Sequence, residues 1–181
     1  GNGSNTWSTS LLNKTNLNTN FIKNIGTDWA AKIDATTWKV GGNTSANILN
    51  QPSKIAYQNE IVSPVTTNTT DNATTYSAKV GLMYASDYGF AAAPSAWTAN
   101  LNTYNGEAIK NVNWMHMGLI EWTISRDADY SFGAFSVVSK GDVNNNDVGY
   151  LAYAVRPVFY LSSSVTYVEG DGTQSSPIRI N

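Results

Sequence analysis

The chain has 181 residues, 41% of them apolar and only 13% charged, with a net charge of −2 and no cysteine. That length suggests one domain, long enough to bury a core without covalent staples. The charge balance excludes the concentrated basic face that nucleic acid requires, and the missing cysteine excludes disulfides, zinc–thiolate sites and thiol nucleophiles.

In chain order, Ser8 or Ser10 is placed to cap a helix carrying Leu11, Leu12, Leu17, Phe21 and Ile25, stopped by Gly26. Leu17, Phe21 and Ile25 recur every four residues, as one helical face requires. Asp28 then reads as the cap of a short turn with Trp29 and Ile33. Residues 37–40 read as a strand ended by Gly41-Gly42. Residues 43–77 are mostly polar, and 66–75 hold no large apolar group, so a surface loop or hairpin tip is expected there.

The second half is more strongly patterned. Residues 79–84 alternate, with Val80, Leu82 and Tyr84 on one face. Pro94-Ser95 opens a second predicted helix carrying Trp97, Leu101 and Tyr104, ended by Gly106. Residues 119–125 alternate again, with Ile120, Trp122 and Ile124 facing one way and Glu121, Thr123 and Ser125 the other. Residues 134–138 and 154–161 read as further strands, the last with Val155, Phe159 and Leu161 inward. Residues 165–168 are expected to pair next. Gly170-Asp171-Gly172-Thr173 is a turn, and 177–180 form an edge strand after a tolerated proline. Two helices with mostly antiparallel strands make an α+β pattern.

Candidate chemistry is sparse. His116 is the only histidine, and Trp114, Met115 and Met117 surround it in sequence. A core or rim aromatic outweighs a catalytic base there, and no G-x-S-x-G elbow accompanies it. Asp142-Val143-Asn144-Asn145-Asn146-Asp147 starts like a calcium loop, but the sixth position is Asp147 in place of glycine and the twelfth is Tyr153 in place of glutamate. A solvated turn between strands is the simpler reading. Glu121 with Asp127 or Asp129 resembles a glycosidase carboxylate pair. A strand carboxylate bonded to a loop backbone or to Arg126 outweighs it.

The stretch 127–153 is the best recognition candidate. It holds Tyr130, Phe132, Asn144, Asn146, Tyr150 and Tyr153, aromatic rings among adaptable amides. The competing reading is a decorated loop whose tyrosines only cover the core.

Several segments resemble a known family. Met117-Gly118-Leu119-Ile120-Glu121-Trp122-Thr123 looks like the "GNVWEWT" signature of formylglycine-generating, sulfatase-modifying domains, and Tyr153-Ala154-Val155-Arg156-Pro157-Val158 is similar to their last strand. The fold so implied is the C-type lectin fold, shared with the variable proteins of diversity-generating retroelements, whose ligand site lies between the two corresponding strands. Closer still are extracellular, often pilin-associated domains of gut Firmicutes and Mollicutes. Residues 81–89, 121–126, 154–161 and 170–178 resemble their motifs, so the likeness covers roughly residues 78–181. The family's enzymes work through cysteine, so their activity does not carry over to this chain. Calcium-dependent sugar binding lacks its triplet as well, Gln51-Pro52-Ser53 being the nearest approach.

The expectation is a C-type-lectin-like α+β domain, two helices packed on a mostly antiparallel sheet. Residues 1–77 would form its helix- and loop-rich N-terminal portion and 78–181 its core. It is expected at the cell surface or outside the cell, where low charge with abundant Asn, Thr and Tyr is common in Gram-positive-type surface proteins. It is expected to bind a glycan or protein ligand on another cell or in the matrix, and not to catalyse. No cofactor, metal, nucleic acid or membrane insertion is expected. The alternative is a structural subunit or tip domain of a bacterial surface filament, self-associating through its Thr- and Asn-rich faces.

Overall fold

A computed structural model describes residues 3–65, 73–149 and 152–181. Its strands are short. In chain order they are β1 (Ile33–Asp34), β2 (Thr36–Lys39), β3 (Thr75–Ala78), β4 (Val80–Gly81), β5 (Glu121–Arg126), β6 (Gly133–Val137), β7 (Val143–Asp147), β8 (Val158–Leu161), β9 (Tyr167–Glu169) and β10 (Arg179–Ile180). They make four small sheets among the described residues, ordered β1-β8-β4, β2-β3, β5-β6-β7 and β10-β9. Every pairing is antiparallel.

The sheet β5-β6-β7 divides the core in two. On one face Phe135, Val137 and Val143 join a buried cluster with Ile48, Tyr88, Leu101, Tyr104 and Met115. On the other, Trp122, Ile124 and Ala134 join Trp7, Leu17, Trp38, Val80, Leu82 and Tyr84. The alternation sorts Val80, Leu82, Tyr84, Trp122 and Ile124 to one side as read, but the strand expected over 79–84 is β4 alone, and Ile120 precedes β5. All six residues of β5 are buried, so Glu121, Thr123 and Ser125 face protein and not solvent. Gly81 lies against the Trp38 indole, where a Cβ would come within 2.7 Å of the ring, so the strand can cross it only with glycine.

The mixed α+β class holds, but the helical part differs from the expected two helices. The N-terminal helix is a wide-turned π-helix over Leu12–Phe21 that tightens to an α-helix at Ile22–Asn24. Ser10 caps it by accepting from the Asn13 amide. The Asn18 amide and Thr19 hydroxyl each donate to the carbonyl five residues earlier, supplying the wide turn with partners. Gly26, at φ 85°, ends the segment as read. Asp28 lies in the first turn of the helix Thr27–Ala31 rather than at its cap.

Three further readings are corrected. The polar stretch after residue 43 contains helices at Ser45–Ile48 and Ser53–Tyr57, the second continuing as a π-turn over Gln58–Val62. The expected helix from Pro94 is two separate 3-10 turns, Pro94–Ala96 and Leu101–Thr103. Asn100 between them is extended and bridges Pro52, and the Leu101 amide donates to the Gln51 carbonyl, so tertiary pairing breaks the helix. The strand expected over 154–161 is β8 alone; Val155 and Leu161 are exposed, and residues 165–168 pair with the chain's end and not with β8. Of the loop tip expected at 66–75, residues 66–72 lie outside the described residues and Thr75 already opens β3.

Candidate functional site

The five described residues among the six predicted from sequence do not come together on one surface. Tyr130 and Phe132 stand on the loop joining β5 to β6. Their rings meet edge-on with centroids 5.7 Å apart. Tyr130 is 43% exposed and donates its hydroxyl to Asp147, at the end of β7. Asn144 and Asn146 alternate with Val143 and Asn145 along β7, so they face the opposite way. Asn144 is exposed. The Asn146 amide donates to the Ser136 hydroxyl at 2.7 Å and its oxygen accepts from Tyr153, whose ring lies 4.7 Å from that of Trp122. Tyr150 lies outside the described residues. The stretch read as an Asn-rich turn is strand β7, whose backbone is paired with β6 from Val143 to Asp147.

The Tyr130 loop is held from beneath. Asp127, 3% exposed, accepts from the Asp129 amide, the Ser45 hydroxyl and the Asn145 amide. The Asn5 side chain reaches over from the N-terminal segment and donates to the carbonyls of Asp127, Tyr130 and Gly133 at 2.7–2.9 Å. A Cβ on Gly133 would fall 2.7 Å from Cδ1 of Tyr130, so glycine lets the ring close on the strand. Each contact removes conformational freedom from the loop before any ligand arrives.

The other candidates resolve as follows. Glu121 is buried and both of its oxygens are taken by Arg156, at 2.6 and 3.3 Å. Arg156 also donates to the Met115 carbonyl, so Glu121 bonds to Arg156 and not to Arg126. Asp127 stands roughly 20 Å further along the strand, well beyond glycosidase spacing. His116 sits at the rim, with Nε2 3.2 Å from the Ser139 carbonyl. Among the described residues no three His, Asp or Glu side chains converge on a metal position, and no helix is long and apolar enough to cross a membrane.

Two features escape sequence reasoning. The first is the loop 112–119. Met115 and Asn113 are buried and fix it: the Asn113 amide donates to the Tyr88 carbonyl and its oxygen accepts from the Met115 amide. Val112, Trp114, Met117 and Leu119 point outward, with Trp114 77% exposed. In sequence Trp114 and Met117 read as apolar surroundings for His116, and Leu119 as the start of a strand that in the structure begins only at Glu121. The second is a partly open cavity of about 470 Å³ between residues 3–12 and the Trp122 face of the sheet. Leu82, Trp122, Ile124 and Ala134 form its apolar floor, and Leu11, 76% exposed, stands at its wall. Arg126 also lines it, its guanidinium pushed down to about 10 by burial. No periodicity signals this cavity, because it arises from a contact between distant segments.

Comparison with protein-family models, curated proteins and solved structures finds no match to this chain.

Proposed function

We propose that the chain is a non-enzymatic recognition module of C-type-lectin-like fold, working at the cell surface or outside the cell, that binds a glycan or protein. The observation that carries this reading is the Tyr130 loop. It presents an exposed aromatic ring, backed by Phe132 and flanked by Asp147, on a backbone pinned by Asn5 and Asp127. A pre-ordered aromatic with amides beside it loses little entropy on binding, which is the physics of recognition loops. The fold assignment draws support from the two motif segments. The "EWT" strand and the segment before Pro157 run side by side, joined by the Trp122 amide to the Ala154 carbonyl and by the Glu121–Arg156 pair.

The test is a screen of the purified chain against glycan arrays and host-surface proteins, repeated with Tyr130→Ala. The substitution is expected to weaken binding at least tenfold, about 1.4 kcal/mol, with an unchanged unfolding midpoint. Binding that ignores the substitution would place recognition elsewhere.

A second reading, a subunit of a surface filament, is favoured by one specific observation: loop 112–119 holds four apolar side chains rigidly in solvent. Contiguous exposed apolar groups on a fixed backbone mark contact surfaces.

A further inference from the structure

We infer that Trp114 of one copy docks in the cavity above Trp122 of the next, so that copies join head to tail. This rests on the second reading and adds to it the surface that receives the loop.

The molecule carries both halves of the contact. Trp114 is the most exposed large apolar side chain among the described residues, and its loop is anchored through Met115 in the cluster on one face of sheet β5-β6-β7. The cavity lies on the other face of that sheet, floored by Leu82, Trp122 and Ile124. Its 470 Å³ is within the range that accepts a bulky organic group. Its aromatic wall, Trp122 and Trp7, suits an indole ring, since offset and edge-on aromatic pairs add to simple burial. Both sides are pre-formed. The loop is held by Asn113 and by Arg156 on the Met115 carbonyl, and the cavity floor is made of paired strands. With a net charge of −2, copies repel one another only weakly.

The placement on opposite faces decides the symmetry. Projection and cavity are anchored on opposite faces of the sheet, so seating one Trp114 in one cavity does not bring the reciprocal pair together, and the contact is heterologous rather than two-fold. Each docked copy still offers a free Trp114 on one side and a free cavity on the other. Such a contact propagates into a chain or closes as a ring.

Sedimentation velocity on the whole chain, up to about 1 mM, where weak self-association becomes visible, tests this. The parent chain is expected to grow in mass with concentration, past a dimer. Trp114→Ala removes the projection, and Leu11→Asp puts a charge at the cavity wall. Both positions are exposed, so both variants should keep the parent's unfolding midpoint. Each alone is expected to weaken association at least about tenfold. Mixed in equal amounts they are expected to form a one-to-one dimer and stop, because one retains only a cavity and the other only a projection. Ala134→Val, which narrows the cavity from its floor, should act as Leu11→Asp does.

A parent chain that stays monomeric throughout overturns both the pairing and the filament reading. Association that depends on Trp114 but ignores Leu11→Asp and Ala134→Val overturns the pairing alone. A mixture that remains monomeric also overturns it.

Discussion

Asn5 does more for the candidate site than any residue inside it. Its side-chain amide has two hydrogens and faces three carbonyls, those of Asp127, Tyr130 and Gly133. Its backbone amide donates to Ser131 at 2.9 Å, so one residue spans the whole β5–β6 loop. The three acceptors fix the orientation of the amide, since only its nitrogen can donate to them, and its own oxygen is buried with no partner among the described residues. Replacing Asn5 by alanine removes these bonds, each worth on the order of 1 kcal/mol, while the Tyr130 and Gly133 carbonyls keep the backbone amides of Gly133 and Asp127. Asn5→Ala is therefore expected to lower stability by about 2–3 kcal/mol in urea unfolding. It should also loosen Tyr130, so hydrogen exchange at the amides of 129–133 should quicken more than at β7. A loss below about 0.5 kcal/mol would mean that water replaces the side chain and that the loop is not held from below.

Strand β5 links the candidate site to both halves of the core. Trp122 is buried to 8% and stacks against Tyr153, so Trp122→Ala should cost about 3–5 kcal/mol. A loss below about 1 kcal/mol would show that the neighbouring cavity already exposes the ring. The opposite side of the strand carries polar groups that are buried because they are paired: Thr123 donates to the Phe135 carbonyl and Glu121 binds Arg156. This explains what the sequence could and could not reveal. Alternation exposed β5, because Trp122 and Ile124 differ so plainly from their neighbours. It did not show that Glu121, Thr123 and Ser125 are buried too, since their partners come from 60–156 in the chain. The helices between residues 45 and 62 were invisible for a related reason. They are short and rich in Ser and Asn, and their formation depends on packing rather than propensity. Strand β7 was hidden by its asparagines, which disfavour strands but here pair with β6 along their backbone. Of the site, Tyr130 and Phe132 were legible as an aromatic pair in a loop. That Asn144, Asn146 and Tyr153 lie across the sheet from them was not, because register decides it.

At the scale of the whole molecule, three separate segments meet at one buried carboxyl. Glu60, 1% exposed, hangs from the π-turn Gln58–Val62. It accepts from the Ser86 amide at 2.7 Å and bonds to the Ser125 hydroxyl, which in turn accepts from the Ala85 amide. Three segments, at residues 58–62, 85–90 and 121–126, are joined there. Asp87 is the charged group that faces it from the neighbouring helix, and like Glu60 it is an acid. Burial pushes the Glu60 carboxyl up from 4.5 to about 7, against the lowering effect of its hydrogen bonds to Ser125 and Ser86. The sign of the consequence follows. Between about pH 4.5 and 7 the folded chain keeps the proton that the unfolded chain releases. The stabilisation from this group is complete below pH 4.5 and is lost as pH rises through 7. The shift of about 2.5 corresponds to roughly 3 kcal/mol. Asp87, also raised by burial, acts in the same direction. Stability from urea unfolding is therefore expected to fall between pH 5 and pH 8 by about 3 kcal/mol. Glu60→Gln keeps the shape and a neutral acceptor, so it should flatten that slope and exceed the parent chain in stability at pH 8. A parent chain as stable at pH 8 as at pH 5 would mean that Glu60 is ionised in the fold, and a variant with the same slope would mean that other groups carry it. In the first case the junction of the three segments would be open to solvent rather than closed.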